Sequence, residues 1–254
     1  MIPLSDELQT VRTPWMTYAI LVAMFATWIF VQGAGFDQQA LAASVCNLGM
    51  VPGELTHMAP LGAAVTIDRE LGLACAVDND RINLLTPFIS MFLHGGWAHL
   101  LGNALFFWVF GNNIEDSMGR FRFLVFYLVC GLAAAAAHIA VDPRSPVPTV
   151  GASGAISGIL GAYLVLYPRV RVRYFVFLFF VRFPAWVALL WWFGTQVLTG
   201  LPQLNEMNPE VSGGVAVWAH VGGFVAGVLL VKLFENRDLV SRRVMVSDAK
   251  GAWQ

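Results

Sequence analysis

Ser153 lies in Gly151-Ala152-Ser153-Gly154, at the mouth of an apolar stretch that runs from Thr149 to Val165. A serine hydroxyl becomes a nucleophile near neutral pH only beside a base, and imidazole, with an unperturbed pKa of about 6.5, is the usual one. The flanking glycines leave room for a target to approach closely. His220 is the candidate base. It is followed by Gly223 and Gly227, while Gly154, Gly158 and Gly161 follow Ser153. Facing stripes of small residues let two membrane helices come together, and that proximity would bring His220 to Ser153. His99 and Asn103 are four residues apart, so they project from one helix face, and each can donate a hydrogen bond. With the backbone N–H of Ser153 at a helix start, they form a set able to surround a developing oxyanion. Blander readings stand beside these: Ser153 as a helix cap, His220 as a packing residue, His99 and Asn103 as interhelical glue. His138 has no polar partner at helical spacing and reads as a satisfied structural histidine.

The elements that must position these side chains are membrane-grade. Of the 254 residues 57% are hydrophobic and 12% charged, and the mean hydropathy is +0.66. Soluble domains carry roughly 25% charged residues, so the chain reads as an all-α membrane protein. A net charge of -1 gives no argument for nucleic acid. Six apolar segments are expected, at Trp15–Gln32, Trp97–Phe110, Phe121–Val141, Ser153–Tyr167, Tyr174–Leu198 and Gly213–Phe234. The second and fourth are short beside the ~20 residues of a straight span. Pro184 would kink the fifth, where Arg182 would find a partner or reach the interface.

Orientation follows from the basic residues beside the connections. Arg12, Arg120, Arg122, Arg169, Arg171, Arg173, Lys232, Arg237, Arg242, Arg243 and Lys250 fall on one side, and Arg69, Arg81 and Arg144 on the other. Both termini are therefore expected in the cytoplasm: residues 1–14 as the N-terminus, 15–235 as the six-span domain, 236–254 as the tail, and 33–87 as a long external loop. No cleavable signal is expected, and the first segment reads as an uncleaved span. His99, Asn103, Ser153 and His220 then each lie within about seven residues of an external span start, in one layer at 1.5 Å per residue. No carboxylate falls inside the six segments as drawn, so the arrangement would be a Ser–His dyad rather than a triad. Cys130 reads as packing. Cys46 and Cys75 share the long loop and would pair if it faces an oxidising compartment; spacing alone leaves that open.

The set resembles the rhomboid intramembrane serine proteases. The matching elements are His94-x4-His99-x3-Asn103, Gly151-Ala152-Ser153-Gly154 and Ala219-His220-x2-Gly223-x3-Gly227, in that order on the second, fourth and sixth segments, with Glu115-x3-Gly119 after the second. The resemblance spans about Thr86 to Leu233. It implies a six-helix bundle in which Ser153 is the nucleophile and His220 its base. His99, Asn103 and the Ser153 N–H would make the oxyanion hole, with His94 supporting the site. Gly151, Gly154, Gly223 and Gly227 would be structural. By the same resemblance the substrates are transmembrane proteins cut in or near their spans, in contact with membrane lipid and without metal or cofactor. The site would lie in a membrane such as a bacterial inner membrane, and the fifth helix is a candidate gate for substrate. Some members place an aromatic residue four after the nucleophile; Ser157 stands there, so His220 must be held some other way. Arg81 and Trp97 do not reproduce the Trp-Arg pair that some members carry in the first external loop. Two other readings remain: a catalytically inactive relative that binds membrane proteins, and a transporter or metal carrier using His94, His99 and His220.

Overall fold

The computed structural model describes residues 1–68, 72–205 and 216–240. Strand β1 (Ile2–Asp6) leads into helix α1 (Trp15–Phe30). Between α1 and the next long helix lie α2 (Gln38–Leu48), α3 (Pro52–Thr56), a hairpin of β2 (Ala64–Asp68) and β3 (Leu73–Ala76), and the single turn α4 (Thr86–Ile89). Then come α5 (Trp97–Met118), α6 (Arg120–Val141), α7 (Ser153–Leu166), the strands β4 (Arg171–Val176) and β5 (Phe179–Pro184), α8 (Ala185–Asn205) and α9 (Val217–Phe234). By length and composition, α6 and α9 are able to cross a membrane. The bent pair Arg81–Phe92 and Trp97–Met118, at 72° to one another, adds a third span if counted as one, and α1 and α7 are shorter apolar helices.

Helix α7 is the axis of the bundle, buried from Gly154 to Tyr163 and packed between α6, α9 and α5. Its glycines allow this. A Cβ on Gly158 would run into the Cys130 side chain of α6, and one on Gly161 into the Phe224 carbonyl of α9. From the other side, Gly223 lies against the Gly154 carbonyl and Gly227 against that of Gly158. The two backbones touch with no side chain between them, which only facing small residues permit. Below this seam the core is aromatic, with Phe110 edge-on to Tyr163 at 4.9 Å between ring centroids.

Two expected boundaries and the expected kink at Pro184 are corrected. The second segment does not stop at Phe110: α5 continues to Met118, because Asn113, Glu115, Asp116 and Ser117 are buried and bonded to neighbouring parts of the chain. The fifth segment does not start as helix. Residues from Tyr174 to Pro184 belong to the β4–β5 hairpin, whose β4 pairs with β1 in a sheet of order β1-β4-β5. The cause is a period of two, with exposed Arg171 and Arg173 alternating with buried Val172 and Tyr174 in β-branched and aromatic company. Pro184 closes β5 immediately before α8 instead of kinking a helix, and Arg182 lies in register opposite Arg173.

The stretch after α1 is folded, and Cys46 and Cys75 are joined by a disulfide with Cα atoms 5.0 Å apart. Pro60-Leu61-Gly62 is a turn into β2. Residues 213–215 of the sixth segment, Arg69, Arg242, Arg243, Lys250 and the tail beyond 240 lie outside the described residues.

Candidate active site

Ser153 is the first residue of α7, and its hydroxyl is not spent as a helix cap: the residue before it, Ala152, takes the cap position without a side-chain bond. Instead Ser153 Oγ lies 2.7 Å from His220 Nε2. The seam between α7 and α9 sets that distance. His220 stands one position beyond Ala219, which packs near Gly154, and one turn before Gly223, which touches the Gly154 carbonyl.

His99 and Asn103 approach from α5. His99 Nδ1 accepts a hydrogen bond from the Gly95 N–H at 3.3 Å, so its ring proton sits on Nε2 and can be donated. A Cβ on Gly151 would lie 2.7 Å from that Nε2 and 3.6 Å from Ser153 Oγ, which locates the donor beside the serine. Gly151 also has φ +130°, where L side chains rarely go, so glycine is needed there twice over. Its N–H is held by the Ser90 carbonyl at 2.8 Å. Asn103 is buried, and among the described residues its Nδ2 has no hydrogen-bond partner. As the first residue of a helix, Ser153 has an N–H without an intrahelical acceptor. His99 Nε2 and the Ser153 N–H thus stand beside the hydroxyl, and Asn103 lies one turn along α5 from His99.

His94 lies fully buried, its ring edge-on to His99 at 5.2 Å between centroids. Gln32 clamps its backbone, Oε1 accepting from the His94 N–H and Nε2 donating to the His94 carbonyl, both at 2.8 Å. His138 is satisfied by Thr149 Oγ1 at 3.1 Å, in the strand-like stretch that pairs with Met50 before the serine.

Two neighbours of His220 were missed by reading motifs. Gln196 on α8 puts its Oε1 2.8 Å from His220 Nδ1. Trp192, one turn earlier, lies beside the imidazole, tilted 38° to it with centroids 5.9 Å apart. Both lie in the fifth segment, outside the motifs around Ser153 and His220. The available signal was a carboxamide inside an apolar helix, four residues after an aromatic. Ser157, at the position where an aromatic was sought, bonds back to the Ser153 carbonyl at 2.6 Å.

Chemically, the arrangement offers a hydroxyl, an imidazole in contact with it, and the His99 Nε2–H donor nearby. That is the equipment of acyl transfer. Comparison with known proteins points the same way. The profile of the Rhomboid domain matches residues 81–237. The chain is 46% identical to Rhomboid protease GluP of Bacillus subtilis (strain 168) over 81 residues, which is 32% of this chain and 15% of that protein. It is 26% identical to RHOMBOID-like protein 5 of Arabidopsis thaliana over 163 residues, 61% of this chain and 52% of the relative. With Rhomboid protein 1, mitochondrial, of Saccharomyces cerevisiae it shares 32% identity over 174 residues, 65% of this chain and 45% of the relative. The matches therefore cover from 15% to 52% of these relatives' own lengths.

Proposed function

The chain belongs to the rhomboid family, and on that premise we propose that it is an intramembrane serine endopeptidase acting through a Ser153–His220 dyad. The observation that carries this reading is the 2.7 Å contact between Ser153 Oγ and His220 Nε2 across the α7–α9 seam. Nε2 takes the hydroxyl proton as Oγ attacks the scissile carbonyl, and the imidazolium then gives that proton to the leaving amine. His99 Nε2–H, Asn103 Nδ2 and the Ser153 N–H hold the oxyanion of the tetrahedral intermediate. Water releases the acyl group by the same steps in reverse.

Substrates are membrane-anchored proteins cut in or near a transmembrane segment, since the serine opens an apolar helix inside the bundle. Residues 15–235 form the membrane domain with α1 and α5 to α9 as its six spans, and both termini lie in the cytoplasm. The Cys46–Cys75 disulfide fits a 33–87 region exposed to an oxidising compartment. Arg12, Arg120, Arg122, Arg169, Arg171, Arg173, Lys232 and Arg237 fall at the opposite side. A bacterial inner membrane is the setting that suits this orientation.

The test is fluorophosphonate labelling of the detergent-solubilised protein. Wild type is expected to label, and Ser153→Ala and His220→Ala to stay silent while keeping their thermal unfolding. Labelling that survives Ser153→Ala removes the nucleophile. A folded wild type that never labels favours the inactive membrane-protein-binding relative.

A further inference from the structure

We propose that Gln196 is the positioning residue of His220, doing through a neutral amide what a carboxylate does in a triad, with Trp192 fixing the plane of the ring. The proposal rests on the Ser153–His220 reading and adds to it the choice of tautomer.

An imidazole works as base toward Ser153 only if Nε2 carries a lone pair, which puts the proton on Nδ1. In a bundle interior that tautomer needs an acceptor at Nδ1, and among the described residues no carboxylate is bonded to the ring. Gln196 Oε1 at 2.8 Å is that acceptor, because an amide oxygen can only accept. The ring is then bracketed, Nδ1–H donating to Gln196 and Nε2 accepting from Ser153 at 2.7 Å. Trp192 lies four residues before Gln196, so one face of α8 presents both groups. The indole lies beside the ring, tilted 38° to it with centroids 5.9 Å apart, and is itself packed against Phe224 of α9, at 6.1 Å. Held through Nδ1 and flanked by the indole, the ring cannot rotate about its Cβ–Cγ bond without losing the amide contact.

The aromatic support that is absent at Ser157 on α7 is thus supplied from α8. Because base orientation depends on α8, a displacement of that helix by an ångström or two breaks the Nδ1 bond and the ring contact together, while Ser153, His99 and Asn103 keep their places on α7 and α5.

Gln196→Met keeps side-chain length and removes the acceptor; Gln196→Glu keeps the acceptor and adds charge. Gln196→Met is expected to lower kcat for a transmembrane substrate, and the labelling rate, by ~10-fold to 100-fold with KM unchanged. The glutamate variant is expected to recover most of that loss and to move the acid limb of its pH–rate profile to higher pH, since a carboxylate at Nδ1 favours the imidazolium. A packing role alone would leave the limb where it is. Nitrogen-15 spectra of histidine-labelled protein, assigned with His220→Ala, read the tautomer without reference to activity. Nδ1–H is expected in wild type and its loss in Gln196→Met. An Nε2–H tautomer in wild type, or a Gln196→Met protein that turns over like wild type, overturns the proposal. A wild type silent toward fluorophosphonate yet holding the Nδ1–H tautomer keeps the positioning and sinks the protease reading instead.

Discussion

The two ends of α5 treat most of their buried polar groups in opposite ways, although Asn112 Oδ1 at the far end has no partner among the described residues. At its far end Glu115 accepts from the Met16 N–H at 3.0 Å, the Thr17 N–H at 2.7 Å and the Thr17 hydroxyl at 2.8 Å, so one carboxylate caps the start of α1. Asp116 takes the Val11 N–H at 2.8 Å and the Arg12 guanidinium at 3.2 Å. Asn113 and Tyr163 both donate to Asp6 at 2.5 Å, tying β1 to the bundle. The near end holds His99, Asn103 and, just ahead, His94, and there the bonding is incomplete. Asn103 Nδ2 and both ring nitrogens of His94 have no partner among the described residues. A buried polar atom without a partner costs about 1–3 kcal/mol, so the saturated cluster holds the fold, whereas Asn103, one turn from His99, is a donor left over for another use. One helix carries both, separated by about two turns of apolar residues, Ala104 to Gly111.

The contrast breaks most sharply at Asn103. Asn103→Ala removes a donor with no partner among the described residues, so thermal unfolding is expected to stay at the wild-type temperature or rise slightly. Loss of one oxyanion donor costs ~10²-fold to 10³-fold in kcat. Steady-state cleavage of a transmembrane peptide in detergent, set beside a melting curve, measures both numbers. A variant that keeps its kcat, or that loses stability in proportion to its rate, would put Asn103 with the structural end of the helix.

Glu115 gives the mirror image. Glu115→Ala leaves the Met16 and Thr17 donors buried without their acceptor, and a loss of ~2–3 kcal/mol is expected from charge-assisted bonds of this kind. What remains folded should label at the wild-type rate, because Glu115 lies at the opposite end of α5 from Ser153. A parallel fall in labelling rate at temperatures well below unfolding would mean that the two ends are coupled.

Much of the near end was legible in the sequence because its residues sit at helical spacings on membrane segments. His99 and Asn103 share a face by arithmetic, and the glycine stripes of α7 and α9 announce a close seam. The far end was less legible. Hydropathy falls at Asn112, and a span drawn by hydropathy ends there, yet the helix runs on because its polar side chains bond to α1 and β1, 98 to 107 positions away in the chain. The β4–β5 hairpin was hidden for a related reason. Phe, Val and Tyr raise hydropathy in strands and spans alike, and only the alternating arginines distinguish them. The strand that pairs with β4 is the N-terminal one. Gln196 escaped because a neutral amide is a weak signal until the imidazole it faces is known.

Glu54 falls between the two ends and gives the smallest expected effect. It is a buried carboxylate on α3 with one backbone donor, the Asp78 N–H at 3.1 Å. Burial raises its pKa above the ordinary 4.5; the Asp78 and Asp80 charges push the same way, and the Asp78 N–H opposes them. A carboxyl whose pKa rises on folding favours the folded state in its protonated form. That stability is fully present below 4.5 and is lost as pH climbs through the raised folded value. Glu54→Gln imitates the protonated form at every pH and still accepts from Asp78. Its melting temperature is expected to match wild type near pH 4.5 and to exceed it by a few degrees or less at pH 7, with labelling of Ser153 unchanged. Taking the difference between the two proteins at each pH cancels the titration of every other group. A glutamine variant less stable than wild type at pH 7 would mean that the Glu54 charge is bonded as fully as that of Glu115, and would move this residue to the saturated class.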